Sequence, residues 1–260
     1  MSKGPEPVSI QERAAQFRAL HRAGSPLALF NAWDAGSARA VVKGGAKAVG
    51  TGSWSIAAAH GFEDGEKIPR ETNIEIVHSI VESVDVPVTA DLESGYSAEA
   101  VGVGETVRLN IEAGAIGCNL EDSQPADGGL RSIEDAAERY RAARRAADGA
   151  CPGYFINART DVFAQRPADE HDSSMVEEAL RRAKAFAEAG ADGLFVPFVT
   201  DLELIRQLAR QSPLPLNVMR VSTTPSIADL SAAGVARISH GPYPYLIAMS
   251  ALESAAREIA

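Results

Sequence analysis

Asp91 and Glu93 stand two residues apart at the end of a short apolar run, VPVTADLE. Asn119 and Glu121 stand two apart at the end of another, AIGCNLED. Residues two apart in an extended strand face the same side, so each run presents a polar pair on one face. GYFINARTD ends the same way in Asn157 and Arg159, and PLPLNVM supplies Asn217, with Arg220 just beyond. Asp91, Glu93 and Glu121 form an acidic cluster with no adjacent lysine. Carboxylates brought together repel unless a proton or a cation joins them. An oxygen-only donor set suits a hard divalent ion, Mg2+ with Mn2+ as a substitute. Arg159 is the complement, a planar fork that grips a carboxylate or phosphonate. A metal plus an arginine suits a small dianionic substrate with a keto or hydroxy group, the ion stabilising negative charge on an enolate oxygen. The competing readings are structural: Asp91 as a turn cap, Glu93 aimed into a loop, Arg159 as a barrel ion-pair partner, the asparagines as partners of loop backbone.

A second group lies upstream. Thr51-Gly52-Ser53-Trp54 closes one apolar run where a short helix begins. Successive backbone N–H groups there bind a carboxylate, and glycine allows close approach. Trp54 is either an apolar lid or a packing residue. Asp64, in HGFEDGE, is placed to ligate through water or to take a proton, or else is a turn residue before Gly65. His60, His171 and His240 show no ligand spacing, and nucleophile-elbow and P-loop motifs are missing.

These groups need a scaffold that brings strand ends together. Apolar runs at 26–31, 46–52, 86–93, 115–122, 153–161, 191–198, 213–219 and 235–241 alternate with helical stretches. Eight strands alternating with helices predict a closed (β/α)8 TIM-type barrel, in which active groups gather at the C-terminal strand ends. Near-continuous apolar runs are what parallel strands buried on both faces require. A doubly wound open sheet is the runner-up, but the dinucleotide fingerprint is missing. Residues 1–260 read as a single barrel domain, with an N-terminal helix over about 9–23 and a C-terminal helical tail over about 243–259.

Composition narrows the partners. Of 260 residues, 45% are hydrophobic and 23% charged, the balance of a globular chain. The net charge of -10 argues against nucleic acid as a partner. No apolar run approaches the ~20 residues of a membrane helix, so no membrane partner is expected. The N-terminal stretch MSKGPEPVSIQERAAQF lacks a secretory pattern, and two cysteines, Cys118 and Cys151, make no disulfide framework. A cytoplasmic location is the expectation.

The ordered set TGSWSIAAAHGFEDGE, ADLESGY, NLED and INARTD resembles the isocitrate lyase and phosphoenolpyruvate mutase superfamily. The likeness spans about residues 26–241 and implies a (β/α)8-type barrel. It also implies Mg2+, and C–C or C–P bond chemistry next to a 2-oxo acid through an enolate-like species. Homo-oligomers follow too, tetramers built from dimers that exchange a C-terminal helix. By that resemblance Asp91 is the central metal-binding aspartate, with Glu93 where a second aspartate is usual and Glu121 in the metal shell, mostly through water. Arg159 is the substrate-binding arginine, Gly52 and Ser53 form the anion loop, Asp64 approaches the metal waters, and Asn217 contacts substrate.

The chain departs from the pattern after strand four. The lyases of isocitrate and methylisocitrate carry a loop with lysines, a cysteine and a histidine there, and the mutases a lysine with asparagine or threonine. This chain has Ser123-Gln124-Pro125-Ala126-Asp127-Gly128-Gly129-Leu130. Cys118 precedes Asn119 by one residue and so faces the outer helices. Ser123 has no base beside it in the sequence. The implied reaction is therefore C–C cleavage or decarboxylation of a small 2-oxo or 2-hydroxy diacid. The alternatives are a phosphonopyruvate-type C–P enzyme, or a barrel that binds a small acid without turnover. An aldolase of another barrel family would carry a Schiff-base lysine at a strand end. Lys43, Lys47 and Lys67 lie on helix or loop stretches.

Overall fold

Every strand pairing in the sheet is parallel, in the order β1-β9-β8-β7-β6-β5-β4-β3-β2. The computed structural model describes residues 8–259. Part of the N-terminal stretch discussed above, residues 1–7, lies outside them. The chain runs α1 (Ile10–Ala19), β1 (Leu27–Leu29), β2 (Asn31–Ala32), α2 (Ala35–Lys43), β3 (Val49–Thr51), α3 (Ser53–Ala59) and α4 (Arg70–Glu82). It continues β4 (Val88–Asp91), α5 (Ala100–Glu112), β5 (Gly117–Glu121), α6 (Ile133–Ala150), β6 (Phe155–Arg159), α7 (Ser173–Glu188) and β7 (Gly193–Val196). It ends α8 (Leu202–Gln211), β8 (Leu216–Met219), α9 (Ile227–Ala232), β9 (Arg237–Ser239) and α10 (Tyr243–Arg257).

β1 and β2 are two halves of one strand position, split at Phe30. β1 pairs with β9 and β2 with β3, so the single residue between them closes the sheet into a (β/α)8-type barrel. Helix starts are chemically marked. Ser9, Asp34, Ser132, Asp172, Asp201 and Ser226 each accept a hydrogen bond from a first-turn N–H of the helix they precede. No described helix is long and apolar enough to cross a membrane.

The strand alternation sets two environments. On β5, Cys118 and Leu120 enter the core between barrel and helices, with Val107, Ile111, Tyr140 and Tyr154. Gly117, Asn119 and Glu121 face the barrel axis. The floor is closed by α1 and the turn after it: Phe155 meets Phe17 edge-on at 5.6 Å and His21 stacked at 4.1 Å. Gly193 makes room for this filling. A Cβ there would stand 2.6 Å from Asn157 Oδ1 and 3.0 Å from the Phe155 ring. Above the floor lies a polar layer. Asn119 Oδ1 accepts from Asn157 Nδ2 at 2.9 Å and from the Arg237 guanidinium at 3.3 Å. Asn217 Nδ2 donates to Ser239 Oγ at 3.1 Å. Asn31 Nδ2 donates to the Thr51 carbonyl at 2.8 Å.

Candidate active site

Register does the first assembly. Asp91 pairs with Asn119, and Asn119 with Asn157, while Glu121 pairs with Arg159 one step higher. The Arg159 guanidinium therefore meets Glu121 Oε2 at 2.8 Å. Asp161 grips the same guanidinium bidentately, at 2.7 Å to Nε and 2.9 Å to Nη2. Burial works against the charge of Arg159, but Glu121 and Asp161 outweigh it and its pKa is raised. Asp122 sets Asp161 in place. Its carboxylate, fully buried, accepts from the Asp161 N–H at 2.9 Å, the Thr160 hydroxyl at 2.7 Å and Arg182 at 3.0 Å. This is the ion-pair role of a scaffold residue, carried by neighbouring α7.

Glu121 is largely enclosed, and its carboxyl is pushed up to about 7 by loss of water, Arg159 holding it down and the charges of Asp161 and Asp91 adding to the rise. Its Oε1 accepts from the Ser123 hydroxyl at 2.5 Å. The sequence expectation that Ser123 lacks a neighbouring base is thus corrected: one strand-end residue intervenes, and the chain folds Ser123 back onto Glu121. The loop that follows is a small closed hairpin. Ser123 bridges Leu130, and Gln124 N–H donates to the Gly129 carbonyl at 2.8 Å.

β3 and β4 join at the other side of the mouth. The Asp91 N–H donates to Thr51 Oγ1 at 2.9 Å, and the Ser53 hydroxyl donates to Asp91 Oδ2 at 3.1 Å. Asp64 stands exposed at the rim. Its carboxyl is raised by partial loss of water and then by the Asp91 charge, while the Gly65 N–H, Arg159 and the Ser53 hydroxyl lower it. Asp64, Asp91, Glu121 and Arg159 therefore share one electrostatic neighbourhood.

Glu93 does not follow the strand alternation. β4 ends at Asp91, and Glu93 has a left-handed backbone, φ 50°. Its Oε2 accepts from the Glu66 N–H at 2.6 Å, and the Tyr96 hydroxyl donates to its Oε1 at 3.0 Å. Loss of water pushes its carboxyl up to about 8, with Asp91 and Asp64 adding their charge. Asp91, Glu93 and Glu121 thus do not close on one point. Among the described residues no three Asp, Glu, His or Cys side chains form a ligand set for one ion.

The remaining sequence candidates divide. Thr51, Asn119 and Asn217 are buried and engaged inside the barrel. Gly52 precedes α3, where an added Cβ would meet only ordinary contacts. Trp54, 38% exposed, packs edge-on against Tyr245 of α10 at 5.9 Å. His240 Nδ1 lies 2.8 Å from the Leu29 carbonyl, a structural bond. Sequence reasoning missed Asp161, Glu66, Tyr96 and Arg237. Asp161 was findable, two residues beyond Arg159. Arg237 was not, because it sits inside a strand that reads as apolar.

The donor set nevertheless fits a divalent ion of the Mg2+ kind. It is oxygen-only, and the carboxyls of Asp64, Glu93 and Glu121 are all pushed up, first by loss of water and then by neighbouring carboxylate charge, Asp91 among it. Mg2+ keeps several waters and commonly takes only one or two carboxylates, so a converging triad is not required.

A parallel barrel with an acidic cluster and one restrained arginine at its C-terminal mouth defines an enzyme scaffold. Residues 17–260 match the family model of phosphoenolpyruvate phosphomutase. The chain belongs to this family, within the isocitrate lyase and phosphoenolpyruvate mutase superfamily, and is an enzyme of the lyase or mutase kind. A crystal structure from Burkholderia cenocepacia, provisionally named a phosphonomutase, is 56% identical with a TM-score of 0.95, covering 97% of this chain and 100% of that one. An uncharacterized protein of Mycobacterium tuberculosis is 33% identical over 246 residues, 94% of this chain and 88% of the relative. The 2-methylisocitrate lyase of Escherichia coli is 29% identical over 264 residues, 97% of this chain and 84% of the relative.

Proposed function

We propose that the chain is a Mg2+-dependent lyase that cleaves a C–C bond in, or decarboxylates, a small 2-oxo or 2-hydroxy diacid through an enolate-like species. The observation that carries this reading is Arg159, part-buried yet cationic, set beside Glu121 and within electrostatic reach of Asp91. Asp91 would hold the ion, with Glu121 and Asp64 reaching it through retained waters. When bound, the ion supplies positive charge that stabilises an enolate oxygen.

The chain's own residues do the rest. Arg159, fixed in orientation by Asp161, binds a substrate carboxylate. The Gly52 and Ser53 N–H groups, read from the sequence as an anion loop, are already engaged, Gly52 N–H donating to the Ala32 carbonyl at 3.2 Å and Ser53 N–H to Asp91 Oδ2 at 3.5 Å, so they do not supply a second anchor for the dianion. Glu121, its carboxyl raised by loss of water and Ser123 at hydrogen-bond distance, or Asp64 at the rim, holds and returns the proton.

Loop chemistry separates this reading from the named lyases. Cys118 is fully buried among core side chains and its thiol is pushed up to about 12 by burial. No cysteine or histidine occurs in the 123–130 loop. Isocitrate and 2-methylisocitrate are therefore expected to turn over far below an ordinary ~1 per second. The second reading, C–P chemistry on a phosphonopyruvate-type acid, is favoured by the names of the matching family and of the Burkholderia relative.

The test is a panel of oxaloacetate, small 2-hydroxy diacids, 2-methylisocitrate and phosphonopyruvate with Mg2+, products identified by mass. Cleavage of a diacid, lost in Asp91→Ala, is the expected result. Turnover of phosphonopyruvate alone selects the second reading. No turnover of any compound, with Mg2+ bound in calorimetry, selects a binding barrel without catalysis.

A further inference from the structure

We propose that Glu93 in this chain is the centre of a clasp that locks the 61–68 loop to the end of β4, and thereby positions Asp64. The inference rests on the reading of Asp64 and Asp91 as site residues. Both Glu93 oxygens are spent on the clasp: Oε2 accepts from the Glu66 N–H at 2.6 Å and Oε1 from the Tyr96 hydroxyl at 3.0 Å. Glu66 reciprocates. Its Oε1 accepts from the Tyr96 N–H at 2.7 Å and from the Ser94 hydroxyl at 2.8 Å. The bonds between the two loops span 27 to 30 residues of sequence.

Backbone conformation points the same way. Glu66, Glu93 and Tyr96 have φ of 60°, 50° and 56°. Among the described residues, the other non-glycine residue with positive φ is Phe198. Such conformations persist only where the surroundings over-determine them, and they cluster at functional sites. Here the crossed hydrogen bonds supply that determination. Glu93 is 5% exposed, enclosed within the clasp. Arg139 of α6 fastens the far end, donating to the Ser97 carbonyl at 3.0 Å and the Ala98 carbonyl at 2.5 Å.

Asp64 lies two residues before Glu66, and its carboxyl is raised by partial loss of water and then by the Asp91 charge. Fixing Glu66 therefore fixes where that carboxyl stands over the mouth. Side-chain length is the critical property. An aspartate at 93 is one methylene shorter and cannot span to both Glu66 and Tyr96 from the same backbone, whereas glutamine keeps the length. Glu93 is a positioning residue in this scheme, not a ligand.

The two roles predict opposite orders for two variants. Hydrogen exchange of peptides covering 61–68, followed by mass spectrometry, reads the clasp; calorimetry with Mg2+ reads the metal. For the clasp, Glu93→Gln exchanges within about twofold of the parent, while Glu93→Asp exchanges about tenfold faster. Tyr96→Phe, which removes one bond and keeps the core, falls between. Mg2+ affinity stays within about threefold in Glu93→Gln. Loss of Mg2+ binding in Glu93→Gln with retention in Glu93→Asp would show a charge requirement and overturn the proposal. So would unchanged exchange in both Glu93→Asp and Tyr96→Phe. If the parent itself binds no Mg2+, the metal reading fails, but the exchange order still decides the clasp.

Discussion

Arg159 is useful only while it points one way. Its fork is held by Asp161 and its outer nitrogen by Glu121, so removing it frees two carboxylates and, on the proposed role, takes away the substrate anchor. On the substrate identified by the panel, Arg159→Ala should lower kcat/KM by more than about 100-fold. Arg159→Lys should not rescue it, since a lysine offers no planar fork. Asp161→Asn should raise KM about tenfold with a smaller change in kcat, because the guanidinium is then free to turn. Steady-state kinetics on the three variants decide this, and full turnover in Arg159→Ala removes the role. Glu93 and Glu121 make a second, independent expectation. The Glu93 carboxyl rises to about 8 in the folded chain, and that of Glu121, paired with Arg159, is raised by loss of water, against roughly 4.3 for an unperturbed glutamate. The folded state thus binds more protons than the unfolded state across that interval. Its stability is full below the unfolded value and falls as pH rises through the folded values. In metal-free buffer the melting temperature should drop by roughly 5 °C or more between about pH 5 and about pH 8.5, given about 2–4 °C per kcal/mol at this size. Glu93→Gln should flatten the slope; a melting temperature that climbs across the window contradicts the assignment.

At the scale of elements, the site depends on a buried bridge behind it. Asp122 at the end of β5 receives Thr160 and Asp161 from the end of β6 and Arg182 from α7. Asp122→Ala strands a buried cation and two donors, and breaking a buried pair costs about 3–5 kcal/mol. The low end is expected here because Arg182 keeps Glu178 and the Arg131 carbonyl. Urea unfolding of Asp122→Ala and Asp122→Asn should show the alanine clearly worse, and equal losses would mean the carboxamide hydrogen bonds are worthless. The element pattern itself was readable before any coordinates. All eight apolar runs contain a strand position, and Asp34 and Gly44 bound α2 as their chemistry requires. The split at Phe30 was not readable, because PLALFN is one continuous apolar run and only the partner strands reveal the break. The inward facing of Asn119, Glu121, Asn157 and Arg159 followed from the two-residue period. Glu93 escaped that rule because the strand stops at Asp91 and the backbone turns left-handed. Pairings made by loop closure, such as Ser123 with Glu121 or Glu66 with Glu93, depend on long-range docking that local periodicity does not encode.

Among the described residues, a contiguous apolar surface lies open on one side of the barrel. The groove between α1, β1, α2 and α10 has a volume of about 900 Å³ and is lined by Leu20, Leu27, Phe30 and Val41, with Pro244 and Ile247 at its edge. On α10, Leu246 is 47% exposed, Ile247 53% and Leu252 64%. Tyr245 anchors the start of that helix edge-on against Trp33 at 5.1 Å, and Pro244 is buried, but the helix then runs outward. A contiguous apolar groove beside an apolar helix face is what a protein–protein contact requires, and a lone chain in water rarely presents one. The family resemblance implies homo-oligomers, and the groove and helix give that implication a physical address. Light scattering coupled to size exclusion should therefore return a dimer or tetramer mass at micromolar protein. Leu252→Glu combined with Ile247→Glu places charge on the exposed face without touching the barrel core, so the circular dichroism spectrum should stay unchanged while the mass falls toward one chain. Because Trp54 packs on Tyr245 next to Ser53, the same double variant should weaken substrate binding more than it lowers Mg2+ affinity. A parent protein that runs as a monomer across that concentration range would defeat the assignment, and would leave the groove open to a different partner.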